Sequence, residues 1–375
     1  MTDDMILHSL EMSASRTRSH TGRMILGGAI VVAIALGVLL YVDKKSPVDT
    51  DVKAYSHTGV VGARGLAAQG KYVWIADVGV LPQGATGVNH GEKVVRVDAA
   101  TGATTSITSP LFSVPFAVTT SPHVVWVLND GFVNHRISIL RINEATLAVT
   151  NVNLSTRLKY AFNYSQGGYV VAGGYFWIST TEGIVRVNTT TLAVSLITSP
   201  LLSGGPYGAD MVADARYVWL SQAVSPNFLT SSKFLVRVSI NTGAVTKVIF
   251  PGYINGTPIA DDGTYLWVED AVGLQRFNLK SGRETLIVLP DDVGLSGSPS
   301  GLDAVANGNV YLAANINESN SQGAIVRVGV ASGRVSIVSS PFIQSLTGVT
   351  AANGVVWADN LPGNKVQQPV LVRLS

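Results

Sequence analysis

After residue 51 the apolar positions come in short bursts, rich in β-branched residues and cut by Gly, Asn and Asp. Alternation between such turn residues predicts strands rather than helices throughout. The bursts also recur as a set. A strand carrying an aromatic appears at Trp74, Trp126, Trp177, Trp219, Trp267, Tyr311 and Trp357, spaced 42 to 52 residues apart. Each is followed by a strand carrying an arginine: Arg96, Arg141, Arg186, Arg237, Arg276, Arg327 and Arg373. Five residues past the first six arginines stands Thr101, Thr146, Thr191, Thr242, Ser281 or Ser332. The next position is Gly102, Gly243, Gly282 or Gly333, with Leu147 and Leu192 as exceptions.

Each unit reads as four strands. The first is small and apolar, as in Gly65-Leu66-Ala67-Ala68; a tight turn such as Asp261-Asp262-Gly263 leads to the aromatic strand. A variable loop leads to the arginine strand, and a Thr-Gly turn to an outer strand such as 244–248. Seven four-stranded units with a period of about 45 residues predict an all-β, seven-bladed β-propeller over 52–375. The last unit reaches only its arginine strand, 371–375, while 52–61 is an extended stretch with no unit of its own. That stretch is expected to complete the last blade and close the ring, removing an exposed strand edge.

Upstream, Met24 to Val42 is a run of 19 residues without a charge. It is long enough to cross a hydrocarbon core of about 30 Å, and its apolar residues fall on every helical face. The reading is a short cytoplasmic head over 1–23, an uncleaved transmembrane helix over 24–42, and a tether over 43–51. Arg16, Arg18 and Arg23 precede the span, with Lys44 and Lys45 just after it, a weak positive-inside bias. Size and composition put the propeller outside the cytoplasm, on a single-pass cell-membrane protein.

Composition narrows the chemistry. Charged residues make up 13%, so Ser, Thr, Asn and Gly must carry much of the solvent face. A net charge of +2 without a basic patch argues against a nucleic-acid partner. Cysteine is absent, which excludes disulfides, thiolate metal sites and a cysteine nucleophile. There is no nucleophilic-serine signature, phosphate-cradling glycine loop or histidine–carboxylate metal spacing.

The repeated aromatics and arginines are assigned to structure, because a site used once is not repeated seven times. Tryptophan is expected to fill the gap between neighbouring blades. Arginine is expected to cover apolar surface with its stem and to bond carbonyls or stack on rings at the rim.

The aromatic strand, the Val-x-Arg-Val strand with its Thr-Gly turn, and a proline before several first strands (Pro115, Pro206, Pro299) resemble the repeats of the virginiamycin B lyase-like, NHL and YVTN propellers. The resemblance spans roughly residues 52–375. It implies the fold; activity varies among these families, which include enzymes, sensors and binding scaffolds. The lyase member implies elimination by a histidine base with nearby glutamates and magnesium. Here the histidines after the apolar run are His57, His90, His123 and His135, and none forms a Glu-x-His pair.

In propellers, ligands usually meet the face built by loops that enter first strands and leave second strands. Second-strand exits carry Asp77, Asp130, Glu182, Asp270 and Asp359, with Asn129, Gln222, Glu269, Asn315 and Asn360 beside or between them. Such oxygens suit calcium or magnesium, although Asp and Asn also favour turns in their own right, and no resident cofactor or metal site is assigned. Loops entering first strands carry Tyr160, Tyr207 and Tyr253, along with Phe112, Phe116, Phe162, Tyr164 and Phe342. Rings beside amides and acids suit a protein, peptide or glycan ligand. The leading expectation is a membrane-anchored binding module. The alternatives are a metal-assisted lyase or hydrolase at the same face and, more distantly, a quinone-cofactor dehydrogenase.

Overall fold

The computed structural model describes residues 52–55, 59–79, 92–131, 136–154, 168–180, 182–202, 211–223, 231–250, 256–270, 273–290, 293–295, 304–316, 322–343, 346–360 and 370–374. In each repeat these residues form an antiparallel sheet, giving seven blades at 63–107, 115–151, 169–197, 211–248, 256–287, 293–338 and 346–374. Blade 1 shows the plan: Ala63–Gln69, Tyr72–Asp77, Lys93–Asp98 and Thr104–Ile107, from inside outward. Blade 6 departs from it, because Val293–Leu295 and Ala304–Ala306 both pair with Asn309–Ile316 as a split inner strand. The inner strand of blade 1 touches the inner strands of both blade 2 and blade 7, so the ring is closed.

Closure works through the stretch that the sequence leaves without a unit. Val52–Tyr55 pairs antiparallel with Val370–Leu374 and becomes the outer strand of blade 7. The ladder takes the first four residues of the 52–61 segment; Val60 packs instead into the seam between blades 7 and 1. The expected transmembrane helix at 24–42, the head and the tether lie outside the described residues. Among the described residues, no helix is long and apolar enough to cross a membrane.

Burial follows from the two-residue period of strands, which gives every middle strand two apolar faces to cover. Seven clusters of buried apolar residues result, one at each seam between neighbouring blades. Trp74, Trp126, Trp177, Trp267 and Trp357 are fully buried, and each repeated aromatic lies on the seam with an adjoining blade. The expectation that these rings fill gaps between blades is met.

The arginines have a matching logic. In all seven blades the aromatic and the arginine are direct cross-strand partners, from Trp74↔Arg96 to Trp357↔Arg373. Arg96, Arg186, Arg237 and Arg276 lie over the rings of Tyr72, Tyr175, Tyr217 and Tyr265 at 4.4–4.8 Å. Three of them then reach into the next blade: Arg96 donates to Glu144 O (3.4 Å), Arg186 to Ile240 O (3.5 Å) and Arg276 to Val330 O. Each acceptor stands three residues after the next blade's own arginine. The repeat thus carries its own inter-blade clamp.

The Thr-Gly turn closes the third strand onto the outer one. Asp98, Asn143, Asn188 and Asn278 accept the N–H groups two and three residues on, as Asx turns do. The backbone and hydroxyl donors of Thr101 hold the Asp98 carboxyl below the usual carboxylate range. The next position must turn left-handed, with φ near 75° at Gly102 and near 60° at Leu147 and Leu192. The two leucines adopt a conformation that costs an L-residue about 1 kcal/mol, offset by packing into the seam with the preceding blade.

Candidate functional site: the loop face

Antiparallel order puts the start of every inner strand and the end of every second strand on one face of the ring. The Thr-Gly turns and the turns after inner strands lie on the opposite face. Val52 pairs with Leu374 at that turn face, so the chain enters the propeller there and leaves the loop face clear of the entering strand.

On the loop face the second-strand exits fasten loops together. Asp77 is fully buried. It accepts the backbone N–H groups of Val61 (3.1 Å), Gly62 (2.7 Å) and Gly79 (3.0 Å), and Lys93 Nζ lies 3.6 Å from its Oδ2. Both carboxylate oxygens are therefore engaged in tying the segment entering blade 1 to the one leaving its second strand. Asn129 does the same in blade 2. It accepts from Ser113 N–H (2.7 Å) and donates to Leu111 O and Ser138 Oγ, each at 3.1 Å. In blade 3, Ser179 donates to Gly168 O, and Thr180 both accepts from Glu182 N–H and donates to Gly183 O.

The other expected residues divide by position. Glu182 is half-buried in the tight connection between the second and third strands of blade 3. Asp359 is buried beside the end of the second strand of blade 7. Asp130 and Asp270 have their backbones in second strands, opposite Ile137 and Gly273, but their side chains lie outside the description. Tyr160, Tyr207 and Tyr253 lie outside the described residues altogether. Among the described residues, no group of three or more His, Cys, Asp or Glu side chains is arranged to hold a metal.

Two features of this face go beyond the sequence reading. One is a turn that recurs as Ser109-Pro110-Leu111-Phe112, Ser199-Pro200-Leu201-Leu202 and Ser340-Pro341-Phe342-Ile343. The serine hydroxyl accepts from the third residue and the serine carbonyl from the fourth. This seats Phe112, Leu202 and Ile343 in the core while leaving Leu111 (39%) and Phe342 (49%) exposed. The Ser-Pro-apolar-apolar spacing is visible in the sequence and was the available signal. The other feature is a bulge where inner strands begin in blades 1, 2 and 7; blade 5 has one farther along its inner strand. Bulges re-aim side chains near binding sites; in blade 1 the extra residue is Arg64, which is exposed. Nothing in the local sequence marks that register shift.

No family model matches the chain, and no curated protein matches it. Solved structures do. A Mycobacterium tuberculosis puromycin-hydrolyzing peptidase is similar at a TM-score of 0.60 and 12% identity, over 84% of this chain and 51% of that one. The extracellular domain of a putative hybrid two-component system from B. thetaiotaomicron is similar at 0.59 and 13% identity, over 87% and 42%. The chain thus spans about half or less of these two proteins. The propeller domain of the Trilobed protease from Pyrococcus furiosus, described as having an open velcro topology, is similar at 0.57 and 10% identity, over 84% and 94%. Here, by contrast, Val52–Tyr55 closes the last blade. At these identities the likeness is one of fold: the chain is an all-β seven-bladed propeller of four-stranded blades.

Proposed function

We propose that the protein is a membrane-anchored, extracytoplasmic binding module that takes a protein, peptide or glycan ligand on its loop face. The observation that carries this reading is the fastening of that face. Asp77 and Asn129 spend their polar atoms on holding loop backbones rather than on projecting into solvent. Loops held in place before a ligand arrives lose less freedom on binding, which favours recognition by a rigid scaffold. The ligand contacts then fall to Asp130, Glu182 and Asp270 with Tyr160, Tyr207 and Tyr253, while Asp359 is buried. The extracellular domain of the putative hybrid two-component system, a likeness of fold, supports the reading by analogy. Anchoring at 24–42, with the propeller outside the cytoplasm, and kinship with the virginiamycin B lyase-like and NHL repeats belong to the same proposal.

A thermal-shift screen of the full chain against glycans, peptides, and calcium or magnesium with and without chelator tests it. A glycan or peptide that raises Tm by several degrees, with the rise lost in Tyr160→Ala or Tyr207→Ala, supports the loop face as the binding surface. A ligand-induced rise that survives both tyrosine variants and Asp270→Ala moves the site elsewhere. A rise with metal alone, abolished by chelator, replaces the binding reading with a metal site.

A further inference from the structure

The seven seams are not equivalent, and the one between blades 4 and 5 carries a buried amide and a half-buried carboxylate that the repeat does not provide for. Among the described residues its cluster holds six buried apolar side chains, Trp219, Leu235, Phe250, Leu266, Val268 and Phe277. The next smallest seams hold nine each.

The first mismatch is Gln275. The position before the repeated arginine is Val95, Leu140, Val185, Val236, Val326 or Val372 in the other six blades, and each packs in the seam with the preceding blade. In blade 5 it is Gln275, on the same face of its strand as Phe277. Gln275 is 2% exposed and its Oε1 has no hydrogen-bond partner.

The second mismatch is Asp261, at the turn-face end of the blade 5 inner strand. Its Oδ1 accepts from Gly263 N–H at 2.7 Å, while its Oδ2 is buried without a donor. The surrounding groups do not compensate. Asp262 beside it accepts from Thr264 and Tyr265 N–H and from Trp267 Nε1. Asp214, in the matching turn of blade 4, accepts from Arg216 and Tyr217 N–H and from Trp219 Nε1. Arg216 lies over the Tyr217 ring and Arg276 over Tyr265. The blade 6 strand Ala304–Ala306, which also touches this strand, carries no charge.

We propose that the seam between blades 4 and 5 is the place where this ring opens first, and that a proton on Asp261 keeps it shut. Deprotonation leaves a carboxylate oxygen buried without a donor, next to two further carboxylates, on a seam already weakened by an unmatched amide. Burial is the largest influence on Asp261, and Asp214 and Asp262 push the same way, raising its pKa from 3.8 to about 6. The folded chain therefore holds this proton through a window where the unfolded chain has released it. Stability contributed at Asp261 falls as pH rises through that window, and the loss is complete above about pH 6.

Hydrogen exchange of the full chain at pH 5 and pH 7.5, corrected for intrinsic exchange rates, tests this. Protection in Tyr217–Ala223 and Tyr265–Asp270 should drop by about tenfold at the higher pH relative to the second strands of blades 1 and 2. Asp261→Asn should remove that pH dependence, and Gln275→Leu should raise protection at both pH values while leaving it in place. Equal protection at all seven seams, or a pH dependence that persists in Asp261→Asn, overturns the proposal.

Discussion

At the scale of single residues, the recurring problem is a polar atom that burial has removed from water. The indole N–H of each repeated tryptophan is such an atom, and four blades answer it from the position five residues earlier. Trp126 donates to Ser121 Oγ, Trp177 to Ala172 O, Trp219 to Asp214 and Trp267 to Asp262. In blade 7 that position is Ala352, and Trp357 Nε1 is buried without a partner. Ala352→Ser should therefore supply the acceptor that Ser121 supplies in blade 2 and stabilise the chain by about 1 kcal/mol, read as a raised urea midpoint. Asp77 shows the reverse dependence. Asp77→Ala strands three backbone N–H groups and Lys93 and should cost about 3 kcal/mol, with Asp77→Asn losing less. A free energy of unfolding unchanged in Asp77→Ala would show that its bonds carry no structural load. The spacing of Trp and Asp was plain in the sequence. That Asp77 holds loop backbone was not, because Asp serves turns and ligands with the same oxygens.

At the scale of elements, the turn after the arginine strand explains an exception to the repeat. Leu147 and Leu192 take the left-handed position that glycine takes elsewhere, and each leucine packs against the preceding blade. In blade 1 the position is Gly102, and a Cβ there would come within 2.5 Å of the Tyr55 ring on the closing strand. Tyr55 also meets Trp357, with ring centroids 5.6 Å apart. A side chain from blade 7 thus occupies at blade 1 the place that leucine occupies at blades 2 and 3. Gly102→Ala should cost about 2–4 kcal/mol from strain and overpacking together. The same change in a Tyr55→Ala background should cost measurably less, since only the strain remains. Additive effects in that cycle would separate Gly102 from the closing strand. The left-handed turn was legible from the Thr-Gly pairs; its coupling to Tyr55 was not, because the two residues meet only once the ring has closed.

At the scale of the whole molecule, closure is the step on which the other contacts depend. Val52–Tyr55 covers the edge of Val370–Leu374, and Val52 and Tyr55 pack at the two seams flanking blade 7. Deleting residues 52–55 should leave that edge open and produce self-association in size-exclusion chromatography, along with a lowered Tm. A monomeric product with unchanged Tm would show that the ring holds without its clasp.

The sequence by itself determined the number of blades, the four-strand unit, the structural role of the aromatics and arginines, and the use of the stretch after residue 51 to finish the last blade. Those properties follow from periodicity, and a pattern repeated seven times survives local exceptions such as Leu147 and Tyr311. Only the tertiary structure decided that Arg96, Arg186 and Arg276 bond a carbonyl of the next blade, that Asp77 and Asn129 fasten loops, and that the seam at Gln275 and Asp261 differs from the other six. The physical reason is that strand order folds back on itself within each blade while the ring joins different blades. A side chain's partners across a seam then stand about 50 residues away, as Arg276 and Val330 do, and no local pattern encodes them.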